Sequence, residues 1–145
     1  MLHIAKYFVN SPYNKVVQFN LPKETKKKGE WIMMPLSEAD GTGKVGYCTT
    51  YFLYPEDAVG WKDVPKTAAF YPIDVDCGRD SHKAQQEAIR IVEMLESEWG
   101  VNAKLLGIWF SGRGFHIEIP ADYFNGFEPD KDLHLIFANI YSELG

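Results

Sequence analysis

At 145 residues the chain has room for one domain with two lobes at most, and its 46% hydrophobic and 24% charged content is that of a globular protein, not a disordered or fibrous one. No apolar run approaches the ~18 residues of a membrane span, so no membrane partner is expected. The net charge of −5 argues against indiscriminate nucleic-acid binding, but it is unevenly spread. Residues 1–70 carry nine Lys against seven acids, and residues 71–145 six Lys and Arg against thirteen, which places any surface facing DNA or RNA on the first half. Cys48 and Cys77 lack the spacing of a metal site or a disulfide framework. The opening MLHIAKYFVN lacks the pattern of a cleavable leader, and a reducing, cytoplasmic setting is the expectation.

In chain order, Lys15-Val16-Val17-Gln18-Phe19-Asn20 reads as a strand, followed by a polar basic turn over residues 23–29 that reads as a solvated loop ahead of a contact to a nucleic-acid backbone. Trp31-Ile32-Met33-Met34 is a second strand closed by Pro35, and residues 37–44 form a loop marked by Asp40-Gly41 and Gly43. Gly41-Thr42-Gly43-Lys44 lacks the spacing and the following hydroxyl of a phosphate loop. Residues 47–54 are β-branched and aromatic, hence strand-like. Residues 55–66, with two prolines and a glycine, read as a connector with one helical turn, in which Trp61 reads as a packing anchor ahead of a base-stacking platform.

The pattern sharpens at residue 68. Residues 68–76 predict a strand, with Pro72 at its start or on an edge. Cys77-Gly78-Arg79 breaks it, and Asp80 or Ser81 caps a helix. Ala84, Ala88, Ile91, Val92, Leu95 and Trp99 fall on one face of that helix, and Gly100 ends it. Residues 104–110 predict a strand, residues 111–114 a glycine turn, and residues 115–119 the returning strand, stopped by Pro120. Asp130 is expected to cap a last helix with Leu133, Ile136, Phe137, Ile140, Tyr141 and Leu144 on its apolar face. Strand, helix, strand, strand, helix is a ferredoxin-like (RRM-like) order missing its last strand, which makes the fold class α+β. In that order the first strand lies beside the third.

Two motifs then meet. Ile73-Asp74-Val75-Asp76 sets two carboxylates at i and i+2, on one side of a strand and about 6.5 Å apart. Such a pair suits one hard cation or two neighbouring ones. Ser111-Gly112-Arg113-Gly114-Phe115-His116 offers a hydroxyl, a guanidinium, an imidazole and exposed glycine amides, which are phosphate ligands. The topology brings His116 and Glu118 onto the face of Asp74 and Asp76. Each motif has a plain structural reading: a strand-end acidic pair, a hairpin turn, a packed histidine. Their joint order and spacing, with one helix between them, favours the functional one.

The pair resembles the archaeo-eukaryotic primase superfamily, the small-subunit primases and primase-polymerases, over residues 68–145. The resemblance implies an RRM-like half over 68–145 packed on a small N-terminal α/β unit over 1–67. It implies two Mg²⁺ or Mn²⁺ ions on Asp74 and Asp76, and a nucleoside triphosphate held by Ser111, Arg113 and His116; the exposed amides of Gly112 and Gly114 are expected to add donors to it. The implied activity is template-directed primer synthesis on single-stranded DNA, with a helicase or another replication subunit as partner. The family's third motif, a hydrophobic residue and an Asp on a strand beyond the last helix, has no counterpart before Gly145. The expectation is therefore an N-terminal fragment of a longer primase or a reduced protein, with Glu118 as a substitute ligand. The rivals are an inactive nucleotide- or nucleic-acid-binding module and a metal-dependent nuclease on the same face.

Overall fold

The structure, a computed structural model, describes residues 11–20, 29–39, 48–49 and 52–144. His3, most of the basic turn at 23–29 and the 41–44 glycine run lie outside the described residues. Those described form a mixed α+β protein of two three-stranded antiparallel sheets and two α-helices. Contacts divide the chain into two units, one of residues 1–69 with 127–145 and one of residues 70–126.

In the first unit β1 (Lys15–Asn20) is the middle strand between β2 (Glu30–Pro35) and β3 (Cys48–Thr49). Val17, Tyr54 and Ala58 form a buried cluster, with Met33, Phe52 and Val64 packed against it. Of the strand expected over 47–54, the described residues show β3, and Leu53 and Tyr54 in isolated bridges to Thr67 and Lys15. The connector that follows consists of turns without a helix, and Trp61 stands 43% exposed, not anchored in a core.

The unit also takes in α2 (Leu133–Glu143), whose N-cap is Asp132, two residues later than expected. Asp130 instead accepts from the Asp132 N–H at 2.7 Å and tightens the preceding turn. The apolar face of α2 is also used more narrowly than its periodicity predicts. Leu133 is buried and Phe137 packs between Phe52 and Phe127, whereas Ile136 and Tyr141 are exposed.

The second unit is a split β-α-β. β4 (Phe70–Val75) leads into α1 (Ser81–Trp99), which returns the chain to β5 (Gly107–Phe110), and β6 (Phe115–Pro120) inserts between the two strands in the order β4-β6-β5. Pro72, which lacks an N–H, is accommodated because β4 is an edge of this sheet. Asp80 caps α1 by accepting from the Lys83 N–H at 2.9 Å, and Gly100 closes it in the left-handed conformation. Ala84, Ala88 and Leu95 are its buried residues, as the periodicity predicts. β5 begins three residues later than expected, because Asn102 caps a 3-10 turn over Ala103–Leu105 first.

Alternation defines the two faces of this sheet. Tyr71, Ile73 and Val75 are buried and pair with Ile119, Ile117 and Phe115. That is the apolar face, and α1 packs on β4 and β6. The intervening residues form the other face, which carries the polar groups.

Candidate metal and phosphate site

Register decides what meets on the polar face. Asp74 of β4 is directly opposite His116 of β6, and His116 is directly opposite Trp109 of β5. One row therefore crosses the sheet as carboxylate, imidazole, indole. The next row inward is Pro72, Glu118, Gly107. The His116 Nε2 lies 3.2 Å from Asp74 Oδ1, with the two side chains 37% and 68% exposed. Hydration at that exposure leaves such a pair worth about 0–1 kcal/mol of stability. Its consequence is orientation: the ring is tethered through one nitrogen, and Asp74 keeps a second oxygen for another ligand.

Asp76 stands one residue beyond the end of β4 and is exposed, with the buried Val75 between it and Asp74. Two exposed carboxylates are a hard-oxygen donor set suited to Mg²⁺ or Mn²⁺, which complete their shells with water and substrate phosphate oxygens. Among the described residues no group of three or more His, Cys, Asp or Glu is placed to enclose a metal. The residues thus fit an ion shared with a phosphate ligand, not one caged by protein alone. Glu118, the expected substitute ligand, is 95% buried, so it does not belong to the solvent-facing pair. A Cβ on Gly107 would lie 2.9 Å from its Oε2, so the carboxylate leans over β5, on the opposite side of β6 from Asp74.

The glycine turn is a two-residue hairpin loop. The Ser111 N–H donates to the Gly114 carbonyl at 2.9 Å, and the Gly114 N–H donates to Ser111 Oγ at 3.1 Å. Gly112, first in the loop, has φ +105°, a conformation that side-chain-bearing residues rarely adopt. Gly114 is required for a different reason: a Cβ there would collide with the Val75 carbonyl oxygen. The turn is therefore pressed against the end of the strand that carries the two carboxylates.

This geometry sorts the phosphate ligands expected from sequence. The Gly114 amide is already bonded to Ser111 and its residue is buried, so it is a packing group. The amides of Gly112 and Arg113 have no acceptor among the described residues, and both residues are exposed at the tip. Ser111 Oγ accepts one bond and keeps its own hydrogen to donate. The Arg113 guanidinium has no ion-pair partner among the described residues.

No protein-family model matches the chain, and no curated protein or solved structure is significantly similar to it. The site therefore rests on its own residues. Trp109 escaped the sequence reading, although it could have been found there. It stands two residues before Ser111, an even step along a strand, which puts it on the face of the polar residues. Of the remaining histidines, His82 is exposed on α1, and His134 is exposed on α2 with Nδ1 3.1 Å from Lys66 Nζ.

Proposed function

We propose that residues 70–126 form a nucleotidyl-transfer site of the primase and primase-polymerase kind. Asp74 and Asp76 would hold two Mg²⁺ or Mn²⁺ ions, and Ser111, Gly112, Arg113 and His116 a nucleoside triphosphate. The observation that carries this reading is the Asp74–His116 pair across β4 and β6, with the glycine turn seated on the end of β4. The order β4-β6-β5 with a helical crossover supports the RRM-like half that the motif resemblance implies. Single-stranded DNA carrying a primer is the macromolecular substrate in this reading, and a helicase or another replication subunit its partner.

Asp74 and Asp76 would hold the ions, whose charge would acidify the attacking 3′-hydroxyl and offset charge on the departing pyrophosphate. Everything else falls to the chain. Arg113, on the loop tip, presents a fork of N–H donors that matches phosphate oxygens. The Ser111 hydroxyl and the Gly112 amide donate to the same oxygens. His116, tethered by Asp74 through Nε2, presents Nδ1 from the sheet floor, which donates to a phosphate oxygen in the doubly protonated ring. The protein positions and neutralises, which is most of what phosphoryl and nucleotidyl transfer ask of it.

The test is primer extension by this chain on a primed single-stranded template with Mg²⁺ or Mn²⁺ and triphosphates. Extension by the wild type and its loss in Asp74→Asn and Asp76→Asn support the site; normal synthesis by either variant overturns it. A second reading, an inactive nucleotide-binding module, is favoured by the lack of a third metal-ligating group among the described residues. Binding of Mn²⁺ with triphosphate, without extension, would select it.

A further inference from the structure

The row across the polar face does not stop at the histidine. Trp109 closes it on β5 and is 42% exposed, although a tryptophan in a sheet is ordinarily covered. Its position explains the exposure. A Cβ on Gly107 would lie 3.3 Å from Trp109 Nε1 and 2.9 Å from Glu118 Oε2. The indole therefore folds back over the bare backbone of Gly107, its N–H edge toward the buried end of the face that holds Glu118. A glycine beneath and a 5%-exposed carboxylate beside it hold the ring in place. The residue keeps 42% of its surface open at the mouth of the proposed phosphate site.

From Asp74 to Trp109 the row spans two strand spacings, about 10 Å. That is the reach from the phosphates of a nucleotide to its base. Along the row the chemistry changes in the same order: carboxylates for metal, imidazole for phosphate, then an apolar ring with no charge of its own.

We infer that Trp109 is the base platform of this site: the nucleobase of a nucleoside triphosphate stacks on its indole while the triphosphate lies against His116 and the 111–114 turn. The inference rests on the nucleotide-binding reading above, and it holds for either an active or an inactive site. Stacking on an aromatic ring tolerates every base, because each base has a π-face. The platform therefore binds purine and pyrimidine triphosphates alike, and selection among them falls to a template.

Calorimetric titration of the full chain, with Mn²⁺ present, compares ATP with inorganic tripolyphosphate, which has the phosphates and no base. Trp109→Ala is expected to weaken ATP binding about 5- to 150-fold and to leave tripolyphosphate binding unchanged. Trp109→Phe, which keeps an aromatic face, is expected to recover most of the loss. Unchanged ATP affinity in Trp109→Ala overturns the platform and leaves the phosphate site standing. Equal loss of both ligands in both variants assigns Trp109 a packing role and also overturns it. If the wild type binds neither ligand, the phosphate reading itself fails and the platform with it.

Discussion

Asp74 and His116 form a pair that contributes little to the fold, so the proposed ligand role is the one that substitution would expose. Their side chains are largely hydrated, and an ion pair so exposed contributes at most about 1 kcal/mol. Asp74→Asn should therefore shift the urea midpoint of unfolding only slightly, while reducing primer extension on the order of a hundredfold or more, since a metal carboxylate is worth several kcal/mol in the transition state. His116→Ala should be similarly benign to stability and should weaken triphosphate binding. Lys66 is the opposite case. It is 6% exposed, its Nζ donates to the Lys131 carbonyl at 2.7 Å, and it lies 5.3 Å from the centroid of the Phe52 ring. Burial lowers its pKa from 10.5, against the pull of Asp132 and Asp130, which raise it. Between that lowered value and 10.5 the unfolded chain binds the proton more readily than the folded one, so Lys66 adds stability as pH rises through the window. Tyr54, raised from 10.0 by burial, takes stability away above its ordinary value. Urea unfolding across the alkaline range should show a rise attributable to Lys66, and Lys66→Met should remove it.

At the scale of elements, α1 and the β5–β6 hairpin depend on a few local groups. Asp80→Ala removes the side-chain acceptor of the Lys83 N–H and should cost about 1 kcal/mol, read from the unfolding midpoint. Gly114→Ala should cost about 1–3 kcal/mol, as an overpacked contact with the Val75 carbonyl, and should loosen nucleotide binding by moving the turn off the strand end. These features were legible in the sequence because they act over three or four residues: an Asp three before the capped amide, a Gly-x-Gly between two apolar runs. Two local readings failed on competing local signals. Asn102 caps a 3-10 turn where a strand was expected, and Asp132 displaces Asp130 as the cap of α2. At α2 two aspartates two residues apart offered two registers for one backbone, whereas at residue 102 the Asn side-chain cap outweighed the apolar run behind it.

At the scale of the whole molecule, one unit is discontinuous in sequence. Residues 127–145 cluster with residues 1–69, through backbone bonds between Lys66 and Asp130, the Thr67 hydroxyl on the Phe127 carbonyl at 2.6 Å, and the Phe52–Phe137–Phe127 rings. Phe137→Ala should lower stability by about 1–3 kcal/mol, the worth of two aromatic contacts. Hydrogen exchange should show the loss at Leu53 and Thr67, which are joined by mutual backbone bonds, more than at β6. Sequence order had placed α2 with the strands of 68–145, because strand-helix-strand-strand-helix is a familiar continuous pattern. Contacts instead group it with the N-terminal residues, a pairing between distant segments that no local periodicity encodes.

The amino-acid sequence by itself determined the placing of the acidic pair, the glycine turn and the capped helix between them, since alternation, turn chemistry and capping are short-range effects written in adjacent residues. Only the tertiary structure decided that Asp74 and His116 come within 3.2 Å, that Gly114 packs where a phosphate donor was expected, and that Glu118 is buried away from the carboxylates. The reason is register: sliding β6 past β4 by a single residue would turn its side chains to the opposite face, and that alignment is settled by pairing between residues some forty apart.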